Sequence, residues 1–282
     1  MAVDAMRRLS HFGPLHEYRY VGMGGYEFVD FDLVHRALGV HRMTSIESRV
    51  DEARLEFNRP FPDIDIRIGT SNEVLPAIPI DGPMIVWMDY CSKLHQDVLQ
   101  DLQFLGEQLQ TGSMLIVTVN ADSYPDDRFA KFESRVGRDR VPLGIESDKD
   151  LDGWALAEVQ RRVMLTEVSV GLSKRKDPPW IKQILNFQYS DTNRMQTLGI
   201  VLVDQSCEAK FTDANYPSLE YVRIGETALR IKVPVLTARE ALQLESRLEK
   251  GGPVPSLDWL EPGQAESFAE LHRWYPRVPA PM

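Results

Sequence analysis

The stretch YRYVGMGGYEFVDFDLVHRALGV, residues 18–40, sets the fold class. Tyr18 to Met23 is a short aromatic and β-branched run that reads as a strand. It passes directly into the glycine-rich turn Gly22-Met23-Gly24-Gly25. Beyond the turn, Phe28, Phe31, Val34, Ala37 and Leu38 recur at helical spacing, with Asp30 and Asp32 in the first turn and Gly39 as the C-cap. A strand, a tight glycine turn and a helix in that order form the first half of a βαβ unit.

Working outward, further apolar runs at Met43 to Glu47, Asp65 to Gly69, Met84 to Tyr90 and Met114 to Asn120 read as strands, several of them nearly continuous, as strands covered on both faces are. His95 to Leu109 repeats the helical pattern before the fifth strand. The right-handed crossover rule places such helices on the two faces of one parallel sheet. After Asn120 the alternation stops. Residues 121–180 show no clear strand, and Leu151 to Lys176 reads as a long helix ended by Pro178-Pro179. Ile181 to Tyr189 and Met195 to Asp204 then flank Ser190-Asp191-Thr192-Asn193 as an antiparallel hairpin. A second hairpin is expected at Leu219 to Ile224 and Ala228 to Leu236. Helices are expected at Ala238 to Glu249 and Gln264 to Trp274, with the breaker Gly251-Gly252-Pro253 between them.

The chain has 282 residues, 43% of them hydrophobic and 26% charged, which excludes a wholly disordered or fibrous chain. Its formal charge of −10 gives no long-range attraction to a phosphate backbone, so nucleic acid is disfavoured as a partner. The local exceptions are the basic run Arg128 to Arg140 and Lys174-Arg175-Lys176. No apolar run reaches the roughly 18 residues of a membrane helix, and no apolar stretch follows Arg7 and Arg8; a cytoplasmic location without a membrane is expected. Two cysteines, Cys91 and Cys207, are too few for a disulfide framework or a cysteine-rich metal site.

Glycines at the turn let backbone approach a ligand closely, and a helix N-terminus beyond it offers N–H groups to an anion. Glu47 ends the second strand 25 residues after Gly22, where an acidic side chain in a doubly wound fold can accept ribose hydroxyls. The two features converge on a nucleoside. Glu27 stands where a dinucleotide fingerprint has its third glycine, which disfavours a nicotinamide cofactor.

On these residues the chain resembles a class I S-adenosylmethionine-dependent methyltransferase. Tyr20 to Gly25 is similar to that family's first motif, Thr44-Ser45-Ile46-Glu47 to its ribose-binding strand end, Ile68 to Leu75 to its adenine-flanking turn, and Val86-Trp87-Met88-Asp89-Tyr90 to its fourth strand. YVGMGGYEFVDF, MTSIE, VWMDY and NFQYSDTNRMQTLG are similar to a bacterial O-methyltransferase-like branch associated with antiviral defence. The resemblance implies a doubly wound, mostly parallel seven-stranded α/β sheet of Rossmann type over residues 1–204, with a helical insertion at 121–180. An α+β extension, 205–282, is expected to pack on this core and to serve as a possible protein-docking element. S-adenosylmethionine is the implied cofactor, with Gly22, Met23, Gly24 and Gly25 around its methionine part and Glu47 on its ribose. Gly69, Thr70 and Ser71 fall at the base and Asp89 beside the site. Asp89 and Tyr90 are the candidate catalytic residues, on an unidentified methyl acceptor. The sequence departs from the family at Tyr20, where an acid is usual, and at Tyr26, where the third glycine is.

An Asp or Asn followed by Pro-Pro and an aromatic is absent at Asp89-Tyr90-Cys91-Ser92, which disfavours amino methylation. No metal is assigned; Asn120 and Asp122 read either as metal ligands or as turn residues. Two functions stay open: an O-directed methyltransferase whose insertion 121–180 selects the acceptor, or a catalytically inactive subunit or sensor on the same fold.

Overall fold

A computed structural model of the chain describes residues 1–48, 50–190, 192–248 and 257–275. It divides into two compact units. The first takes in Met1–Gln188 and Asn193–Leu229, and the second Tyr189–Thr192 and Arg230–Met282.

The first unit opens on α1 (Ala2–Arg7), followed by β1 (Arg19–Gly22), α2 (Val29–Leu38), β2 (Arg42–Glu47), α3 (Glu52–Asn58), β3 (Ile64–Ile68), α4 (Ser71–Val74), β4 (Met84–Lys93), α5 (Gln96–Gln108) and β5 (Met114–Asn120). α6 (Arg128–Val136) and α7 (Ala155–Ser173) precede the hairpin of β6 (Trp180–Ser190) and β7 (Arg194–Val203), and α8 (Glu208–Ala214) comes after it. The sheet runs β3-β2-β1-β4-β5-β7-β6, with the three-residue β8 (Leu229–Ile231) last in the order. β1 is parallel to both β2 and β4, so Gly22 lies level with Ser45 on one side and Trp87 on the other. β7 is antiparallel to β5. Strand order reverses between β1 and β4, and in doubly wound sheets the crevice outside the carboxyl ends of such strands receives the ligand.

Burial explains why these runs became strands. Ile85, Val86 and Met88 of β4, like Met114, Ile116 and Val119 of β5, are fully buried because helices cover both faces. α7 belongs to this cover. It packs along α5, and the helices approach so closely that a Cβ at Gly171 would lie 2.0 Å from the Gln103 carbonyl oxygen. α7 starts four residues later than the sequence suggested. Leu151 instead ends a 3-10 turn, Asp148–Leu151, started by a capping box between Ser147 and Asp150.

The expected second hairpin does not form. Only Leu229–Ile231 is a strand, while Leu219 to Ile224 follows the Pro217-containing turn Tyr216–Ser218 and itself turns through Val222 N–H to Leu219 C=O. Tyr221 is buried but Ile224 is exposed, and the backbone here turns instead of pairing as a strand. α8, which periodicity did not signal, packs on the 3-10 turn Arg8–His11 that follows α1, and Lys210 Nζ donates to the Phe12 carbonyl at 3.2 Å.

In the second unit, α9 (Ala238–Glu245) begins with a capping box between Thr237 and Glu240, and α10 (Gln264–Leu271) packs with it. Leu244, Leu257, Ala265 and Phe268 form its small core. Both helices are shorter than expected from the sequence, and the Gly251-Gly252-Pro253 breaker lies outside the described residues.

Candidate active site

The turn after β1 is built by exclusion and by hydrogen bonds. A Cβ on Gly24 would lie 2.6 Å from the Phe28 ring and 3.0 Å from that of Phe31, so no side chain fits there. Gly25 takes φ +56°, with nothing within 4 Å of where a Cβ would be. Its missing side chain leaves open space. Gly24 N–H donates to Ser45 Oγ at 3.1 Å and Gly25 N–H to Glu47 Oε1 at 2.9 Å, while Ser45 Oγ–H reaches the same Glu47 oxygen at 2.6 Å. The end of β2 therefore holds the turn, and Glu47 is buried behind it.

Below the turn, the Tyr20 hydroxyl donates to the Asp30 carboxylate. Tyr20 is fully buried, and desolvation together with Asp30 pushes its hydroxyl pKa well up. Asp30 lies in the first turn of α2, near the backbone N–H groups of that turn. Desolvation pushes its carboxyl up to about 6, the Tyr20 hydrogen bond and the nearby amides acting against the rise and the Asp89 charge adding to it. The start of α2 thus carries a carboxylate of its own beside its first amides. This edge of the site presents negative charge where the sequence suggested an anion pocket.

A cavity of ≈ 740 Å³ opens over the turn. Met23, Gly24, Gly25, Tyr26 and Glu27 line it from the turn, Val29, Asp30 and Leu33 from α2, Arg54 and Asn58 from α3, Val3 from α1, and Trp87 and Asp89 from β4. Asp89 is reached from the cavity, and desolvation by its walls raises its pKa. Tyr26 is fixed at the rim: Arg54 stacks over its ring at 4.1 Å, and its hydroxyl accepts the Asp51 N–H at 3.0 Å. Asp51 in turn caps α3 through the Arg54 N–H.

A family model described as "Putative O-methyltransferase" matches residues 1–278. The chain belongs to this O-methyltransferase family. No curated protein matches this family member. Among solved structures it is similar to human N-acetylserotonin methyltransferase in complex with S-adenosylmethionine (11% identity, 72% of this chain and 52% of that one, TM-score 0.37). It is also similar to LepI in complex with S-adenosylmethionine (10%, 70% and 46%, 0.42) and to the O-methyltransferase TomG from Streptomyces achromogenes (13%, 72% and 78%, 0.40). The chain spans about half the length of the first solved structures it matches.

Within this O-methyltransferase-family chain, the cavity brings together Met23, Gly24, Gly25 and Asp89 of the residues singled out from the sequence. Gly22 lies beneath, where a Cβ would meet the Asp30 carboxylate and the Tyr20 hydroxyl at 2.9 Å. Tyr90 points to the opposite face of β4 from Asp89 and donates to Asp101 Oδ2 at 2.6 Å. Ser71 donates to the same carboxylate, Asn72 Nδ2 reaches its other oxygen at 2.7 Å, and Thr70 forms a capping box with Glu73. Neither Gly69, Thr70, Ser71 nor Tyr90 lines the cavity.

Asp30, Trp87, Arg54 and Val3 were not foreseen as site residues. Only Tyr20, a phenol standing where an acid is usual, signalled that a carboxylate would come from elsewhere.

The insertion contributes nothing to the lining. Three of its arginines pair with acids of the same insertion: Arg128 with Asp152 at 3.4 Å, Arg138 with Glu133 at 3.4 Å, and Arg140 with buried Glu167 at 3.4 Å. Asn120 Oδ1 accepts the Asp122 N–H at 2.9 Å and Lys93 Nζ at 3.0 Å, a turn that closes on itself. Among the described residues, no group of three His, Cys, Asp or Glu could hold a metal ion, and no helix is long and apolar enough to cross a membrane.

Proposed function

We propose that this chain is an S-adenosylmethionine-dependent methyltransferase directed at a hydroxyl, with its site in the cavity over the β1 turn. One observation carries the reading: at the point where strand order reverses, a single cavity joins the side-chain-free turn Gly24-Gly25 to the Asp89 carboxyl. The open space at Gly25 is a cradle that a Cβ would fill, and the volume lies in the range of ligand sites, about 300 to 1,000 Å³. The cofactor supplies a methyl group activated on a sulfonium.

The chain's own part is alignment and proton transfer. Gly24 and Gly25 bring backbone close, and Glu47 keeps that backbone in place. Val3, Val29, Leu33 and Trp87 form an apolar wall on which an acceptor can lie beside Asp89. Asp89 takes the hydroxyl proton, a role that its raised pKa suits because a less acidic carboxyl is a stronger base. The wall comes from α1, α2 and β4, so acceptor choice on this reading rests with them.

A second reading, a ligand-binding subunit without turnover, is favoured by Tyr26, which Arg54 and Asp51 pin at the rim where an open glycine would leave access. A defence setting and a cytoplasmic location rest on the sequence resemblance and on the lack of a membrane-spanning helix among the described residues. Docking of a protein through the second unit belongs to the same proposal.

Titration calorimetry with S-adenosylmethionine, followed by a methyl-transfer screen over phenols, catechols and aliphatic alcohols, tests both readings. Binding with transfer that falls about a hundredfold in Asp89→Asn supports the enzyme. Binding without transfer supports the subunit, and absence of binding overturns both.

A further inference from the structure

The cavity wall carries three carboxyls, Glu27, Asp30 and Asp89, against one cation, Arg54. Arg54 is committed to the Tyr26 ring. Among the described residues, no Lys, Arg or His forms an ion pair with Asp30 or Asp89, and the side-chain donor on Asp30 is the neutral Tyr20 hydroxyl. The two carboxyls reach the cavity from different elements, α2 and β4, and each acts electrostatically on Tyr20 beneath them. Like charges brought together on one cavity wall disfavour each other's ionisation, and a cation placed among them relieves both. Among the described residues, the cavity's cation, Arg54, lies over the Tyr26 ring and forms no ion pair with either carboxyl, so a ligand can supply the charge.

Resting on the cofactor reading above, we infer that Asp30 and Asp89 form a cation subsite that holds S-adenosylmethionine in preference to S-adenosylhomocysteine, so that the reaction itself loosens its product. In the transfer the S–CH₃ bond breaks with its electron pair left on sulfur, and the acceptor O–CH₃ bond forms. The hydroxyl proton passes to Asp89. The sulfonium becomes a neutral thioether, Asp89 is neutral until it returns its proton to water, and Asp30 is left facing no positive sulfur. The step that completes catalysis thereby removes the attraction that held the ligand.

Calorimetry on the full chain with three probes tests this: S-adenosylmethionine carries a sulfonium and an ammonium, S-adenosylhomocysteine only the ammonium, and 5′-methylthioadenosine neither. Wild type is expected to bind the first about tenfold more tightly than the second. Asp30→Asn is expected to cut that ratio to about threefold or less while leaving 5′-methylthioadenosine affinity within about twofold. Asp89→Asn gives an independent measurement of the same ratio, with thermal unfolding showing that each variant is folded. An unchanged ratio in both folded variants overturns the subsite. Equal losses for the two amino-acid-bearing probes, with 5′-methylthioadenosine unaffected, also overturn it, since the carboxyls then serve the ammonium common to both. If wild type binds none of the three, the cofactor reading itself fails.

Discussion

Tyr20 and Asp30, ten residues apart, meet beneath the glycine turn, with the phenol of β1 donating to the carboxylate of α2. The contact ties the strand that enters the turn to the helix that leaves it. It also decides that the site's floor ends in a carboxylate supported by a neutral donor. Phe31 packs edge-on against Tyr20 at 4.9 Å and helps to bury the phenol, while Asp30 faces the cavity.

Tyr20→Phe keeps the ring and removes the donor. Asp30 then lies desolvated without its side-chain partner, so its pKa should rise further and stability should fall by about 1 to 3 kcal/mol. Carbon-detected NMR titration of the carboxyl and urea unfolding measure the two effects. A lower Asp30 pKa in the variant would contradict the assignment.

Two carboxyls give stability a particular pH dependence. Asp30, facing Tyr20 and Asp89, and Asp101, facing Ser71, Asn72, Tyr90 and Asp97, are each raised by burial from 3.8 to about 6. Between those values the native state holds protons that the unfolded state has released. Their contribution is therefore fully present below about pH 4 and is lost as pH rises through 6, by up to about 3 kcal/mol for each. Unfolding free energies at pH 4.5 and 7.5 should show the loss, and the Asp30→Asn, Asp101→Asn double variant should flatten it.

Glu47 holds the turn before it can hold anything else. Glu47→Ala removes the acceptor of Gly25 N–H and Ser45 O–H and should cost about 1 to 3 kcal/mol in unfolding free energy, besides weakening S-adenosylmethionine binding. Denaturant melts and calorimetry on the same preparation check both. A binding loss with unaltered stability would show that the carboxylate serves the ligand alone.

The two neighbouring glycines should fail differently. Gly24→Ala drives a methyl group into the Phe28 and Phe31 rings, an overpacking worth about 1 to 3 kcal/mol. Gly25→Ala meets open space and bears only the left-handed backbone cost, about 1 to 2 kcal/mol, but it fills the cradle. Stability should thus suffer at least as much at Gly24, and ligand affinity more at Gly25. Parallel melting and binding measurements separate them.

In the insertion, Arg138 is exposed beside Glu133 while Arg140 meets a buried carboxylate, Glu167. Arg138→Glu should change stability by no more than about 0.5 kcal/mol, whereas Arg140→Glu should cost about 3 to 5. Neither should alter cofactor binding in the folded protein, because no residue of 121–180 lines the cavity. Reduced affinity in folded Arg138→Glu would place this segment at the site.

Local pattern made the scaffold legible. Runs such as Met84 to Met88 name their own element, because a strand covered on both faces must be apolar throughout, and Gly24 and Gly25 mark a turn where the first position excludes a side chain and the second takes left-handed backbone. The hairpin of β6 and β7 was readable from its turn-forming stretch, Ser190 to Asn193, between two β-prone runs. Leu219 to Ile224 misled because residue type alone does not make a strand where the backbone turns after Pro217. What sequence left undecided is which side chains meet. Asp89 and Tyr90 are adjacent in the chain, but strand alternation puts one in the cavity and turns the other onto Asp101. Asp30 reads locally as a helix-start acid and becomes the floor of the site only because α2 folds back over β1 and reaches Tyr20. Val3 joins the wall through the packing of α1 on α2, which no periodicity announces. Propensity and periodicity act over a few residues and say which face is covered. Contacts between distant residues follow from register and topology, so the site's charge and walls were decided in the tertiary structure.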